Sequence, residues 1–81
     1  MLTEHAPVIL KPTDFYLACF LRCSGYLLAD VRKEQGRSHF VFRDQPGRRE
    51  AVVAFYNGQG QVRPLSLVQV IKDMKALIHN S

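Results

Sequence analysis

The 81-residue chain lacks an apolar run long enough to cross a membrane; the longest, near the N-terminus, is short and interrupted. It also lacks a basic segment leading into an apolar stretch with a small-residue cleavage site, so no secretory signal is expected and cytoplasm is the default. Cysteine is scarce, with only Cys19 and Cys23. Four apart in a helical stretch, they share one face, but that spacing rarely meets disulfide geometry. Both are expected as core or half-buried thiols, with a site shared between two chains as the lesser alternative. A zinc site needs more ligands at characteristic spacings, and His5, His39 and His79 are scattered. No metal and no cofactor are expected.

The chemistry of catalysis is thin as well. No Ser or Cys stands with an evident base. "NGQGQ", 57 to 61, lacks the following Lys-Ser/Thr and the preceding strand of a phosphate cradle, so it reads as a loop between helices. A metal nuclease wants clustered acids beside a lysine. Asp30, Glu34 and Asp44 lie near Lys33, yet Asp30 and Lys33 point to opposite faces of a strand and Glu34 falls in a turn. The chain is read as no enzyme. It also has no internal repeat and no low-complexity segment.

What is present is a single small domain over residues 1–81. Hydrophobic residues make up 47% and charged residues 22%, which suits a folded chain and argues against wholesale disorder. So short a chain buries a modest share of its surface and tends to be only marginally stable alone; disulfides, a metal or self-association are the common supplements.

Met1 to Pro7 reads as a frayed polar lead-in. "PVILKP", 7 to 12, is an edge strand bounded by prolines. "TDFYLACFLRC" is a helix with Thr13 or Asp14 at its N-cap, stopped at Ser24-Gly25. Phe15 to Leu21 are apolar nearly all the way round, so this helix is buried on most sides or joins a dimer interface. "YLLADVRKEQGRSHFVFRD" is a hairpin by its alternation. Its connection Glu34-Gln35-Gly36-Arg37 fits a type I turn followed by a left-handed residue. Pairing Val31 with Phe40 and Ala29 with Phe42 puts the inner residues on one side and leaves Asp30, Arg32, His39 and Arg43 outside. Arg49 to Asn57 reads as a short helix, with a third meander strand over "AVVAFY" as the competing reading. Pro64 opens a last amphipathic helix with Leu67, Val68, Ile71, Met74 and Ile78 as its core stripe. The sum is α+β: a small antiparallel sheet packed with three helices, in the order β-α-β-β-α-α.

"TDFYLACFLRCSGYLLADVRKEQGRSHFVFRD" followed by "AFYNGQGQVRPLSLVQVIKDMKALIH" resembles a small family from bacteria and their phages that is known only as a domain of unknown function. The likeness rests on the "TDFYLA" helix start, the Gly25 break, the "RSHFVF" strand, Tyr56-Asn57-Gly58, the Val62-x-Pro64 step and the last helix. It covers about four-fifths of the chain. These motifs are caps, turns and core positions. The resemblance therefore implies a fold and carries no activity or site residues with it.

Two binding functions remain. The net charge is +4, and six of the eleven Lys and Arg residues fall between positions 32 and 49. Arg32, Arg37, Arg43, Arg48 and Arg49, with His39, form the candidate nucleic-acid site, arginine forks suiting phosphate oxygens. With Phe40 and Phe42 turned inward there is no aromatic to stack on bases, so binding would be largely independent of sequence; a solvated basic hairpin that blunts a sheet edge is the plainer alternative. The other function is a homodimer or protein-interaction module, with Tyr16, Phe20, Leu28 and Val41 as interface candidates around an apolar first helix. Neither function involves a membrane.

Overall fold

The computed structural model describes residues 7–80. The lead-in expected to be frayed, residues 1–7, lies outside that range except for Pro7. Strand β1 (Val8–Leu10) runs through a short 3-10 turn (Pro12–Asp14) into helix α1 (Phe15–Cys23). Strands β2 (Leu28–Glu34) and β3 (Arg37–Phe42) follow, then helices α2 (Arg48–Tyr56) and α3 (Pro64–His79). The order is the expected β-α-β-β-α-α, and residues 51–56 are helix. The sheet order is β1-β3-β2, all antiparallel, so the six-residue β3 is the central strand.

Several local choices explain these boundaries. Pro12, lacking an N–H, opens the 3-10 turn that feeds α1. Asp14 takes the N-cap position, as expected, but makes no capping hydrogen bond; its carboxylate accepts from the Tyr56 hydroxyl at 3.5 Å instead. At the other end Tyr26 N–H donates to Leu21 C=O at 3.0 Å and Gly25 N–H to Arg22 C=O at 3.2 Å. Those two bonds are the Schellman closure, and it turns on Gly25 at φ +100. Helix α2 ends in the same way, with Gln59 N–H on Ala54 C=O and Gly58 N–H on Phe55 C=O. Pro64 is the first residue of α3.

The hairpin departs from expectation in two places. Its loop has two residues, Gln35 and Gly36, because Glu34 pairs directly with Arg37. Both loop residues have positive φ, 55 and 77, which makes a type I′ turn, whose twist matches that of the strands. Register is as expected at Val31↔Phe40, but a bulge between Leu28 and Asp30 puts Leu28, not Ala29, opposite Phe42. The extra residue returns Leu28 to the inner face, where it packs against the core. Beyond the bulge the ladder continues: Arg43 N–H donates to Leu27 C=O at 3.1 Å, and the Gln45 side chain accepts from Leu27 N–H at 2.9 Å.

The core joins Leu17 to Leu21 of α1 with Leu10, Phe40, Phe42 and Met74. Five consecutive buried residues in α1 mean that the helix is enclosed by the sheet, α2 and α3. The loop before α3 closes on it as well, since a Cβ at Gly60 would come within 2.6 Å of the Phe20 ring. Helix α3 keeps the expected stripe except at one position, where Val70 takes the place of Val68. Leu67, Val70, Ile71, Met74 and Ile78 face the core, while Val68 is exposed.

A basic open face on the sheet

Alternation along β3 sends Ser38, Phe40 and Phe42 toward the helices and Arg37, His39 and Val41 to the opposite side. Cross-strand register completes the outer face. Arg32 stands opposite His39, Glu34 opposite Arg37, and Val41 lies between Ile9 and Asp30. Arg43, exposed, continues the outer row just beyond β3. On the β1 side Lys11 follows the Leu10↔Phe40 pair by one residue. It shares a cavity of about 450 Å³ with Thr13, Glu34, Arg37 and His39, whose remaining walls are Pro12 and Gln35.

Lys11, Arg32, Arg37 and Arg43 are all exposed. Arg32 Nε lies 3.9 Å from Asp30 Oδ2, an open surface pair that contributes little to stability and leaves the guanidinium available. Asp30 also accepts from the Val31 N–H at 2.8 Å, which occupies a donor on the free edge of β2. His39 is half-buried, and its Nδ1 is shut off from solvent without a hydrogen-bond partner.

The candidate residues thus separate into groups. Arg32, Arg37, His39 and Arg43 come together on the outer sheet face. Arg48 and Arg49 belong to the first turn of α2, away from the strands. Arg48 is held there by Asp44, Nε to Oδ1 at 3.1 Å, four residues apart on a partly buried site. Lys11 and Thr13 were not anticipated. The one signal for them is the proline-bounded β1, whose neighbour in the sheet could not be read from the sequence.

The alternative interface does not assemble into one patch. Phe20 is 8% exposed and packs against Phe55 in a tilted pair with ring centres 5.3 Å apart. Leu28 is drawn to the core side by the bulge. Val41 is 3% exposed and lies on the opposite side of the sheet from them, and only Tyr16, at 62%, is open. The apolarity of α1 is satisfied by its own chain.

Among the described residues no group of three His, Cys, Asp or Glu side chains is placed to hold a metal. No helix there is long and apolar enough to cross a membrane. Cys19 and Cys23 are free. Burial pushes the Cys19 thiol up to about 11; Lys75 opposes that shift and Cys23 adds to it, both more weakly.

Three antiparallel strands, with helices over one face and a basic surface left open on the other, define a small two-layer α+β domain. The chain belongs to the family described as Domain of unknown function (DUF5659), whose model matches residues 10–80. That range runs from the last residue of β1 to the C-cap of α3 and takes in the whole outer face except the start of β1. No curated protein matches the chain, and no solved structure does.

Proposed function

We propose that this domain is a non-catalytic binding module that takes the phosphate backbone of nucleic acid on the outer face of its sheet, as an accessory or regulatory protein. The observation that carries this reading is the alignment of Lys11, Arg32, Arg37 and Arg43 on one exposed face. Cations held on neighbouring strands of a rigid sheet match a repeating line of phosphates better than scattered surface charges do. The face carries no aromatic side chain, so recognition is of the backbone rather than of stacked bases.

The test is an amide NMR titration with short single- and double-stranded DNA and RNA at two salt concentrations. Shifts are expected on the outward positions of β3 and β2 and at Lys11. Engagement of three phosphates implies a loss of affinity of roughly 40-fold for a fourfold rise in salt. Replacing Arg32 and Arg43 with alanine should remove most of the binding. Unchanged spectra with every nucleic acid at low salt would sink this reading. The second reading, association through an apolar surface, draws on the exposed Tyr16 and Tyr56. It predicts broad lines that respond to protein concentration and barely to salt.

A further inference from the structure

The outer face is not uniformly flat. Where the end of β1 meets the tip of the hairpin it sinks into the cavity of about 450 Å³, a size within the range of small-ligand sites. Lys11 reaches it from the residue after β1, Thr13 from the 3-10 turn, and Arg37 and His39 from the central strand. An ammonium, a guanidinium fork and a hydroxyl donor therefore converge on one concavity from three segments of the chain. His39 also lines the cavity, but its unpaired Nδ1 is shut off from solvent and is not offered to a ligand there.

A running nucleic-acid backbone offers one negative charge per phosphodiester along a convex strand, and the flat part of the face suits it. A concave site with clustered donors suits a group that projects and carries more charge. A phosphate monoester does both, with a charge near −1.5 to −2 at neutral pH and three acceptor oxygens. Arginine engages such a group through two parallel bonds, and lysine as a point charge. Glu34 also lines the cavity, opposite Arg37 in the ladder. A carboxylate there repels an anion placed against it but accepts from sugar hydroxyls, as acidic residues do in nucleotide sites.

We infer that this cavity binds the phosphate monoester of a nucleotide, with Lys11, Thr13 and Arg37 on the phosphate and Glu34 on the sugar hydroxyls. The inference rests on the same basic face as the backbone reading and adds an end-recognition site to it. The nucleotide is either free or the phosphorylated end of a strand.

The experiment compares one oligonucleotide with and without a 5′-phosphate, and adenosine monophosphate with adenosine, at low salt. It uses the parent protein and the Lys11→Ala, Arg37→Ala and Arg43→Ala variants. All three residues are exposed, so the variants should fold, and circular dichroism checks this. The phosphorylated strand is expected to bind at least about tenfold more tightly than the hydroxyl strand. That preference should vanish in Lys11→Ala and Arg37→Ala. In Arg43→Ala both strands should weaken together with the preference kept. Binding of adenosine monophosphate without either strand would keep the cavity assignment and sink the backbone reading. Equal affinity for the two strands, with neither adenosine monophosphate nor adenosine bound, would overturn the cavity assignment and leave the backbone reading standing. No binding of any probe would overturn both.

Discussion

Phe42 and Arg43 are neighbours in the chain, yet one has no exposed surface and the other stands in solvent. Phe40 and Arg37 repeat the contrast along β3, while on the outer side His39 is half-buried and Val41 is buried between its neighbours. The inner side is saturated. Its rings meet Leu21, Cys19 and Met74 in a single core, and the backbone around them is closed by ladder and helix bonds. The outer side carries charges with weak or no partners and an imidazole nitrogen left unsatisfied. One strand therefore divides the labour: most of the core packing lies on one face, and most of the exposed charge lies on the other.

The largest expected effect breaks this contrast from the inside. Phe42→Ala empties a fully buried site in the central strand and should cost about 3–5 kcal/mol, enough to unfold much of so small a domain. Arg43→Ala, one residue on, should leave the urea midpoint nearly unchanged. A comparable loss at both positions would show that the outer face also carries stability. Next in size is Gly60→Ala. The added methyl would meet the Phe20 ring at 2.6 Å, and displacing either the loop or the ring should cost about 1–3 kcal/mol by thermal denaturation.

The inner face also sets a pH limit. Folding raises the Cys19 thiol from 9.0 to about 11, chiefly because burial disfavours the thiolate. The unfolded chain gives up this proton first. The contribution is therefore whole below about pH 9 and is lost as pH rises toward 11, at up to about 1.4 kcal/mol per pH unit. Cys19→Ala removes this slope, so the gap between the melting curves of parent and variant should narrow from pH 8.5 to 10.5. A constant gap would mean that the thiol ionises equally easily in both states.

These faces were legible in the sequence to different depths. The alternation "HFVF" announces the inward phenylalanines, and the glycine stops at Gly25 and Gly58 mark two helix ends, because hydrophobic period and left-handed turns are local properties. The bulge at Ala29 is not local. "YLLADV" alternates acceptably in either register, and only the sheet decides that Leu28 belongs inside. The stripe of α3 was legible at Leu67, Ile71, Met74 and Ile78, but Val68 and Val70 are equally apolar, and only packing selects Val70. The open basic face was half visible. Arginines on the hairpin could be assigned sides by parity, but Lys11 needed the pairing of β1 with β3, a long-range choice. A charge run does not show that Arg48 stands at the start of α2 beside Asp44, because that pairing depends on where the helix begins.

A smaller change sharpens the comparison at the hairpin tip, where the strand turns between the two faces. Gln35 sits at φ 55, a region that costs a residue with a Cβ and favours Asn or Gly at this position of a type I′ turn. Gln35→Asn should stabilise the domain by about 0.5–1 kcal/mol. A loss instead would mean that the Gln35 side chain, which lines the cavity, is held there by interactions that matter more than its backbone angle.

The smallest expected change in stability has the most to say about the open edge. Asp30 occupies the Val31 N–H on the free side of β2 and lies 3.9 Å from Arg32. Both bonds are in solvent, so Asp30→Ala should alter stability by no more than about 0.5 kcal/mol. Its effect should appear instead in association. A strand edge whose donor is no longer covered offers itself for pairing with a second chain, and the outer face loses a negative charge that competes with phosphate. Sedimentation should show more dimer for the variant at high concentration, and nucleic acid should bind it more tightly at low salt. If stability falls by several kcal/mol while association stays unchanged, Asp30 anchors the bulge, and the outer face is then less independent of the inner one than the alternation along β3 implies.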